Sequence, residues 1–234
     1  MALKAMVFID GSWLYRSRTA LFAKLGEENF EVDYARLPRI LCDDLANAID
    51  EDVSLVRTQY FGTIPSTRSG FNTSKQRSFY EFLEKSCHYE VEIHEVDVGG
   101  GDARADDNWI AMSLASSMMF YAAIPAVYDV ALLVCDDPVY APALRCVRQF
   151  GKRTQIVCLH TPDGSIPPTN VSLFGRSRVT DFTPIFLDDH AGEMKLVREV
   201  RRRVCKQCGR EEDTTWAGLD FFCSECRGKH QHRE

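Results

Sequence analysis

The chain has 234 residues, 45% hydrophobic and 26% charged, with a formal net charge of −6, a composition suited to one sizeable soluble α/β core with a small appendage. No apolar run is long enough to span a bilayer, and the acidic balance excludes non-specific coating of nucleic acid while allowing a local basic patch. Nine cysteines in an odd, scattered set do not form a secreted disulfide framework and point to the cytoplasm.

The opening MALKAMVFIDGSW reaches Asp10 after a few apolar residues and lacks a small-residue cleavage site, so it reads as a strand over Ala5–Ile9 rather than a signal peptide. Helix-spaced Leu37, Ile40, Leu41, Leu45 and Ala48 predict a helix over Tyr34–Ile49, followed by a strand over Val53–Phe61. A helix over Lys75–Ser86 and an alternating strand over Tyr89–Val96 come next. A further helix runs from about Asp107 to Tyr121, then a buried strand over Val130–Val134, a helix over Pro138–Phe150 and a strand over Arg153–Leu159. This alternation predicts a mostly parallel sheet with helices on both faces. Thr161–Pro184, rich in Pro, Gly, Ser and Thr, reads as a loop, with FTPIFLDD adding a late edge strand. Residues 1–190 form the expected main domain, 191–203 a basic linker or helix, and 204–234 a separate module.

That module carries Cys205-x-x-Cys208, fourteen intervening residues, then Cys223-x-x-Cys226. Two such knuckles at this separation match a tetrahedral four-thiolate Zn²⁺ site in a small β-hairpin ribbon. Four thiolates leave no open position, so this zinc is structural, and in so short a module it supplies folding energy. Lys195, Arg198, Arg201, Arg202, Arg203 and Lys206 lead into it, with Trp216 inside, which suits either nucleic-acid backbone contacts with a stacking ring or a solvated linker with a core tryptophan. The other five cysteines, Cys42, Cys87, Cys135, Cys146 and Cys158, lie in apolar or helical contexts that suit buried free thiols.

Four acidic positions stand at strand ends or helix starts. Asp10 closes FID, Asp106 and Asp107 open a helix after a glycine-rich stretch, and Asp137 follows VCD. In a parallel sheet, ligands bind beyond the carboxyl ends of the strands, and converging carboxylates favour Mg²⁺ or Mn²⁺. Each acid also has a structural role available. Asp137-Pro138 is a good helix start, Asp106 or Asp107 can cap its helix, and Asp10 before Gly11 can make a turn. A HAD-type phosphatase would need a second aspartate two residues from Asp10, where Phe8 and Ser12 stand, and no Walker loop or GxGxxG fingerprint occurs.

MVFIDGSWLY, YFGTIP, KQRSFYEFLEKSCHYEVEI, VGGGDARADDNWIAMSLA and YDVALLVCDDPVYAPALRCVRQFGKRTQIV follow one another in the order of known family motifs. Over roughly the first 190 residues the chain resembles the NYN family, a branch of the PIN-like nuclease superfamily that includes LabA-type bacterial proteins. The resemblance implies a PIN-like three-layer α/β/α fold and Mg²⁺- or Mn²⁺-dependent hydrolysis of RNA, single-stranded or structured. Matched singly, Asp10, Asp107 and Asp137 fall on the family's metal aspartates, with Asp106 and Asp136 as additional acids. Ser12, Trp13, Arg16, Arg18, Arg68, Lys75 and Arg77 are the candidate RNA contacts. The family's asparagine after FIDGx is Trp13 here, its helix aspartate is Ser113, its last aspartate is Val139, and its glycine is Asp136. These departures leave a second expectation open, a catalytically degenerate RNA-binding or adaptor protein on the same fold. A homo-oligomer or protein partner is compatible with either, and a membrane is not expected.

Overall fold

The computed structural model describes residues 2–25, 31–66, 70–96, 103–160, 179–197, 200–215 and 220–231, without the side chains of 19, 20, 22–25, 103–108 and 228–231. The chain divides into two compact units, Met1–Lys195 and Leu196–Glu234. Among the described residues, no helix is long and apolar enough to cross a membrane.

The first unit alternates β1 (Leu3–Asp10), α1 (Gly11–Leu25), α2 (Leu37–Ile49), β2 (Val53–Pro65), α3 (Ser74–Lys85), β3 (Glu90–Val96), α4 (Ala103–Ala123), β4 (Val130–Val134), α5 (Ala141–Gln149), β5 (Arg153–Cys158) and β6 (Ile185–Phe186). The six strands form one sheet in the order β3-β2-β1-β4-β5-β6, every neighbouring pair parallel. This is the expected α/β fold. Right-handed crossovers place α1, α2 and α3 on one face and α4 and α5 on the other. β1 and β4 lie in the middle, with all of Val130–Val134 and Ala5–Asp10 buried. Both faces of these strands are covered, which is why their sequences are continuous apolar runs without alternation. The edge strand β3 instead exposes Glu90, Glu92 and Glu95, charges that discourage pairing with another sheet.

Helix-spaced apolar residues bury where the periodicity puts them: Leu37, Ile40, Leu41 and Leu45 in α2, Tyr80 and Leu83 in α3, Leu144 and Val147 in α5. Three segments differ from the sequence reading. Apolar spacing assigns nothing to residues 11–25, yet α1 begins directly at Gly11. The predicted helix over Pro138–Phe150 is a single 3-10 turn, Pro138–Tyr140, followed by α5. Pro142 has no N–H to give the Pro138 carbonyl, which is taken instead by the N–H of Ala141. The late edge strand is only Ile185–Phe186, parallel to the end of β5, and most of the loop before it, residues 161–178, lies outside the described residues.

In the second unit, β7 (Arg201–Val204) and β8 (Glu211–Thr214) form an antiparallel hairpin, and α6 (Ser224–Gln231) follows. The basic run Arg201–Arg203 is therefore a strand, where the sequence suggested a linker or helix. Arg202 faces Asp213 and Arg203 faces Glu212 across the ladder, and Arg202 Nε lies 2.8 Å from Glu211. An acidic strand opposite a basic one favours pairing that neither composition suggests alone.

Candidate functional site

The chain runs outward from β1 to β2 and β3, then returns to place β4 on the other side of β1. Such a reversal opens a crevice at the carboxyl ends of the two strands, the place where open α/β sheets bind ligands. Ile9 is in register with Val134, so Asp10 and the Cys135–Asp137 segment leave the sheet side by side.

Asp10 is 8% exposed. It stands where an N-cap belongs, and its Oδ1 accepts the N–H of Trp13 at 2.9 Å. Its Oδ2 accepts the Tyr140 hydroxyl at 2.8 Å and the Cys135 thiol at 3.8 Å. Burial, reinforced by the Asp10 charge, pushes the ionisation of Tyr140 and Cys135 well upward, so both groups stay protonated donors. Gly11 is required at this corner: a Cβ there would lie 2.6 Å from the Phe61 carbonyl oxygen and 2.5 Å from the Tyr60 ring.

Asp136 accepts the Trp13 indole N–H at 2.6 Å, and Trp13 is itself buried. Asp137 caps the 3-10 turn, accepting the N–H of Val139 at 2.9 Å, while its own N–H donates to the Cys135 sulfur at 3.4 Å. Asp10, Asp136 and Asp137 thus follow the ends of neighbouring strands, each bonded to neighbouring protein groups. Asp106 and Asp107 belong to α4, but their side chains lie outside the described residues, as do Arg68 and Trp216. Ser113 bonds His94 at 2.9 Å, and Val139 is exposed. Ser12 is half-buried, and Arg16 is exposed on α1. Lys75 and Arg77 lie on the exposed side of α3, Arg77 within 3.3 Å of Glu95. The guanidinium of Arg18 stacks 4.0 Å over the Tyr15 ring.

A divalent cation needs several oxygen ligands converging on one point. Among the described residues, no group of three ligand atoms within 4.8 Å of one another includes Asp10, Asp136 or Asp137. The Tyr140 hydroxyl, on a residue 1% exposed, and the Trp13 N–H each take one acceptor site on Asp10, which as a carboxylate has about four. The described acids alone do not make up such a ligand set, and the side chains of Asp106 and Asp107 lie outside the described residues.

Sequence reasoning missed Tyr140, Cys135 and the Trp13 indole as partners of the acids. The available signals were the Tyr and Trp side chains within the matched motifs, each bringing a hydrogen-bond donor. It also missed His160 at the end of β5, whose Nδ1 lies 3.1 Å from Asp188 and whose ring stacks on Phe186 with centroids 3.8 Å apart. With Asp189 these residues form a second compact group of potential ligands. The direct His160–Asp188 hydrogen bonding accounts for it as a contact between the segment after β5 and the turn after β6.

In the second unit the sulfurs of Cys205, Cys208, Cys223 and Cys226 lie within 4.8 Å of one another, Cys208 and Cys223 being 3.6 Å apart. Gly209 turns the first knuckle with φ of 71°, and its N–H returns to the Cys205 carbonyl. The Cys223 N–H donates to the Cys205 sulfur at 3.3 Å and is the main cause that lowers the Cys205 thiol to about 6. Among the described residues, the buried core of this unit apart from the cysteines is Phe221, with Phe222 against it. Four clustered thiols of this geometry could hold zinc.

The fold and the crevice define a PIN-like α/β domain. A profile of the NYN domain matches residues 4–171, and the chain belongs to the NYN domain family, a family tied to the PIN-like nuclease fold and to RNA. No curated protein matches the chain.

Proposed function

We propose that this protein binds RNA through its NYN domain without cleaving it, the acidic crevice serving as a closed hydrogen-bonded core. The observation that supports this is Asp10, whose two carboxylate oxygens are occupied by Trp13, Tyr140 and Cys135. Ser113 and Val139, where the family's acids are expected, and the indole held against Asp136 point the same way. The four cysteines hold Zn²⁺ as a structural ion and carry the hairpin arginines Arg201, Arg202 and Arg203 as RNA contacts.

A second reading is favoured by the placement of Asp10 and Asp137 at the ends of adjacent strands, with α4, the helix of Asp107, packed against β1. In that reading the protein is an Mg²⁺- or Mn²⁺-dependent ribonuclease using Asp10, Asp107 and Asp137, with Asp106 and Asp136 nearby. One assay separates the two. End-labelled single-stranded RNA is incubated with the full chain and Mn²⁺, beside Asp10→Asn and Asp137→Asn, and binding is followed by anisotropy. Binding with equal background cleavage in all three fits the non-cleaving reading. Cleavage by the wild type that both variants abolish overturns it.

A further inference from the structure

At the amino-terminal rim of the strands, opposite the strand-end acids, the end of α5 and the start of β5 border an open groove of about 590 Å³. Arg145, Arg148, Lys152 and Arg153 line it, against one carboxylate, Asp181. Arg153 is in register with Val130, the first residue of β4, whereas the acids follow Val134, the last. The groove therefore stands about 13 Å along the strands from the crevice, at about 3.3 Å per residue.

Arg148 has an internal explanation. Its Nε lies 3.0 Å from both oxygens of Asp181, and it sits in the last turn of α5, where a cation complements the helix dipole. The other three cations lack such an explanation. Arg145 lies earlier in the helix on its exposed side, Lys152 approaches the Tyr128 ring at 5.6 Å, and Arg153 stacks 5.8 Å over Phe182. None of the three has a carboxylate partner among the described residues. On a chain of net charge −6, these cations form a local basic patch, the electrostatic footprint that attracts a polyanion. Two aromatic side chains accompany them: Phe182 under Arg153, and Phe150, 48% exposed between the lining residues Gln149 and Gly151. Cations that track phosphates, alternating with rings on which bases stack, are the chemistry of single-stranded nucleic-acid binding.

We infer that the groove of Arg145, Lys152 and Arg153 is a docking surface for the backbone of single-stranded RNA, separate from the acidic crevice, with Phe150 stacking a base. The inference rests on the RNA-binding reading above and deepens it. Phosphate contacts here are sequence-independent and salt-dependent, and they hold a strand whether or not the crevice performs chemistry.

The test is anisotropy of a fluorescein-labelled single-stranded oligoribonucleotide with the full chain, across a salt series. Arg145→Gln combined with Lys152→Gln is compared with a matched double variant at the start of α2, Arg36→Gln with Arg39→Gln. A labelled polyglutamate peptide is the second probe, and Arg145→Glu and Phe150→Ala are additional single variants. The groove double variant is expected to bind RNA at least about tenfold more weakly at low salt and to flatten the log–log salt dependence by about 1.4, at about 0.7 per lost phosphate contact. Phe150→Ala is expected to lose about fivefold or more, and the α2 pair to bind as wild type. RNA binding unchanged in the groove variants overturns the inference while leaving the RNA-binding reading intact. Equal losses in both double variants overturn it in favour of a bulk charge effect. Loss of polyglutamate binding with RNA binding intact overturns it in favour of an acidic protein partner. Absence of RNA binding by the wild type at low salt overturns the RNA-binding reading itself.

Discussion

The Tyr140 hydroxyl donates to Asp10 Oδ2 at 2.8 Å across 130 residues of sequence. It joins the residue that closes β1 to the turn that follows β4, and it does so inside the crevice where a PIN-like domain would open to a ligand. With the Trp13 indole on Asp136, it turns a pair of strand-end acids into an internal network.

Tyr140→Phe removes the hydroxyl and leaves the ring. Asp10 then lacks one of its donors in a buried place, so the first unit should lose about 1–3 kcal/mol of stability. Urea denaturation followed by tryptophan fluorescence measures this. A midpoint equal to that of the wild type would show that the bond is not structural. On the non-cleaving reading proposed above, the same variant should gain no Mn²⁺-dependent RNA cleavage, because removing one donor supplies no acid at Ser113 or Val139, where the resemblance leads one to expect them.

Gly11→Ala puts a methyl group 2.6 Å from the Phe61 carbonyl oxygen, a backbone atom that cannot swing aside. The strain should cost about 1–3 kcal/mol. A lower thermal midpoint, together with weakening of the Trp13 N–H bond to Asp10 in amide exchange, is the expected signature.

Alkaline pH should destabilise the first unit before it ionises the native state. Burial raises the Tyr34 hydroxyl from its ordinary value of 10.0 to about 12, and the Cys42 and Cys158 thiols from 9.0 to about 12. These groups keep their protons in the native state where the unfolded chain releases them. The stability they contribute is complete below about pH 9 and is lost as pH rises towards about 12. Thermal melts between pH 8 and pH 12 should therefore fall steadily, with the tyrosinate absorbance of Tyr34 appearing together with unfolding. Titration of Tyr34 near its ordinary value in the folded protein would refute this.

Removing the proposed zinc should unfold the second unit and spare the first. About one zinc per chain is expected by elemental analysis. A chelator, or Cys208→Ser, should abolish exchange protection in Arg201–Val204 and Glu211–Thr214 while the amides of β1 and β4 keep theirs. Among the described residues of the unit, Phe221 and the cysteines make up the buried core.

Local sequence carried much of the architecture. Apolar runs the length of a buried strand, separated by helix-spaced apolar residues, dictate a parallel sheet because each element must bury its own stripe or both its faces. The two Cys-x-x-Cys knuckles similarly declare a four-sulfur cluster, since a knuckle is a local turn. α1 escaped that logic because its apolar residues follow no strong helical stripe, and its start is set by Asp10 and by the close approach of Gly11 to β2.

Whether the strand-end acids face an open site was decided elsewhere. It depends on Tyr140 meeting Asp10 across 130 residues and on Trp13 meeting Asp136 across 123. A carboxylate has the same sequence signature whether its oxygens face a cation or a neighbouring donor. Only the packing of β1 beside β4 determines which of the two it meets.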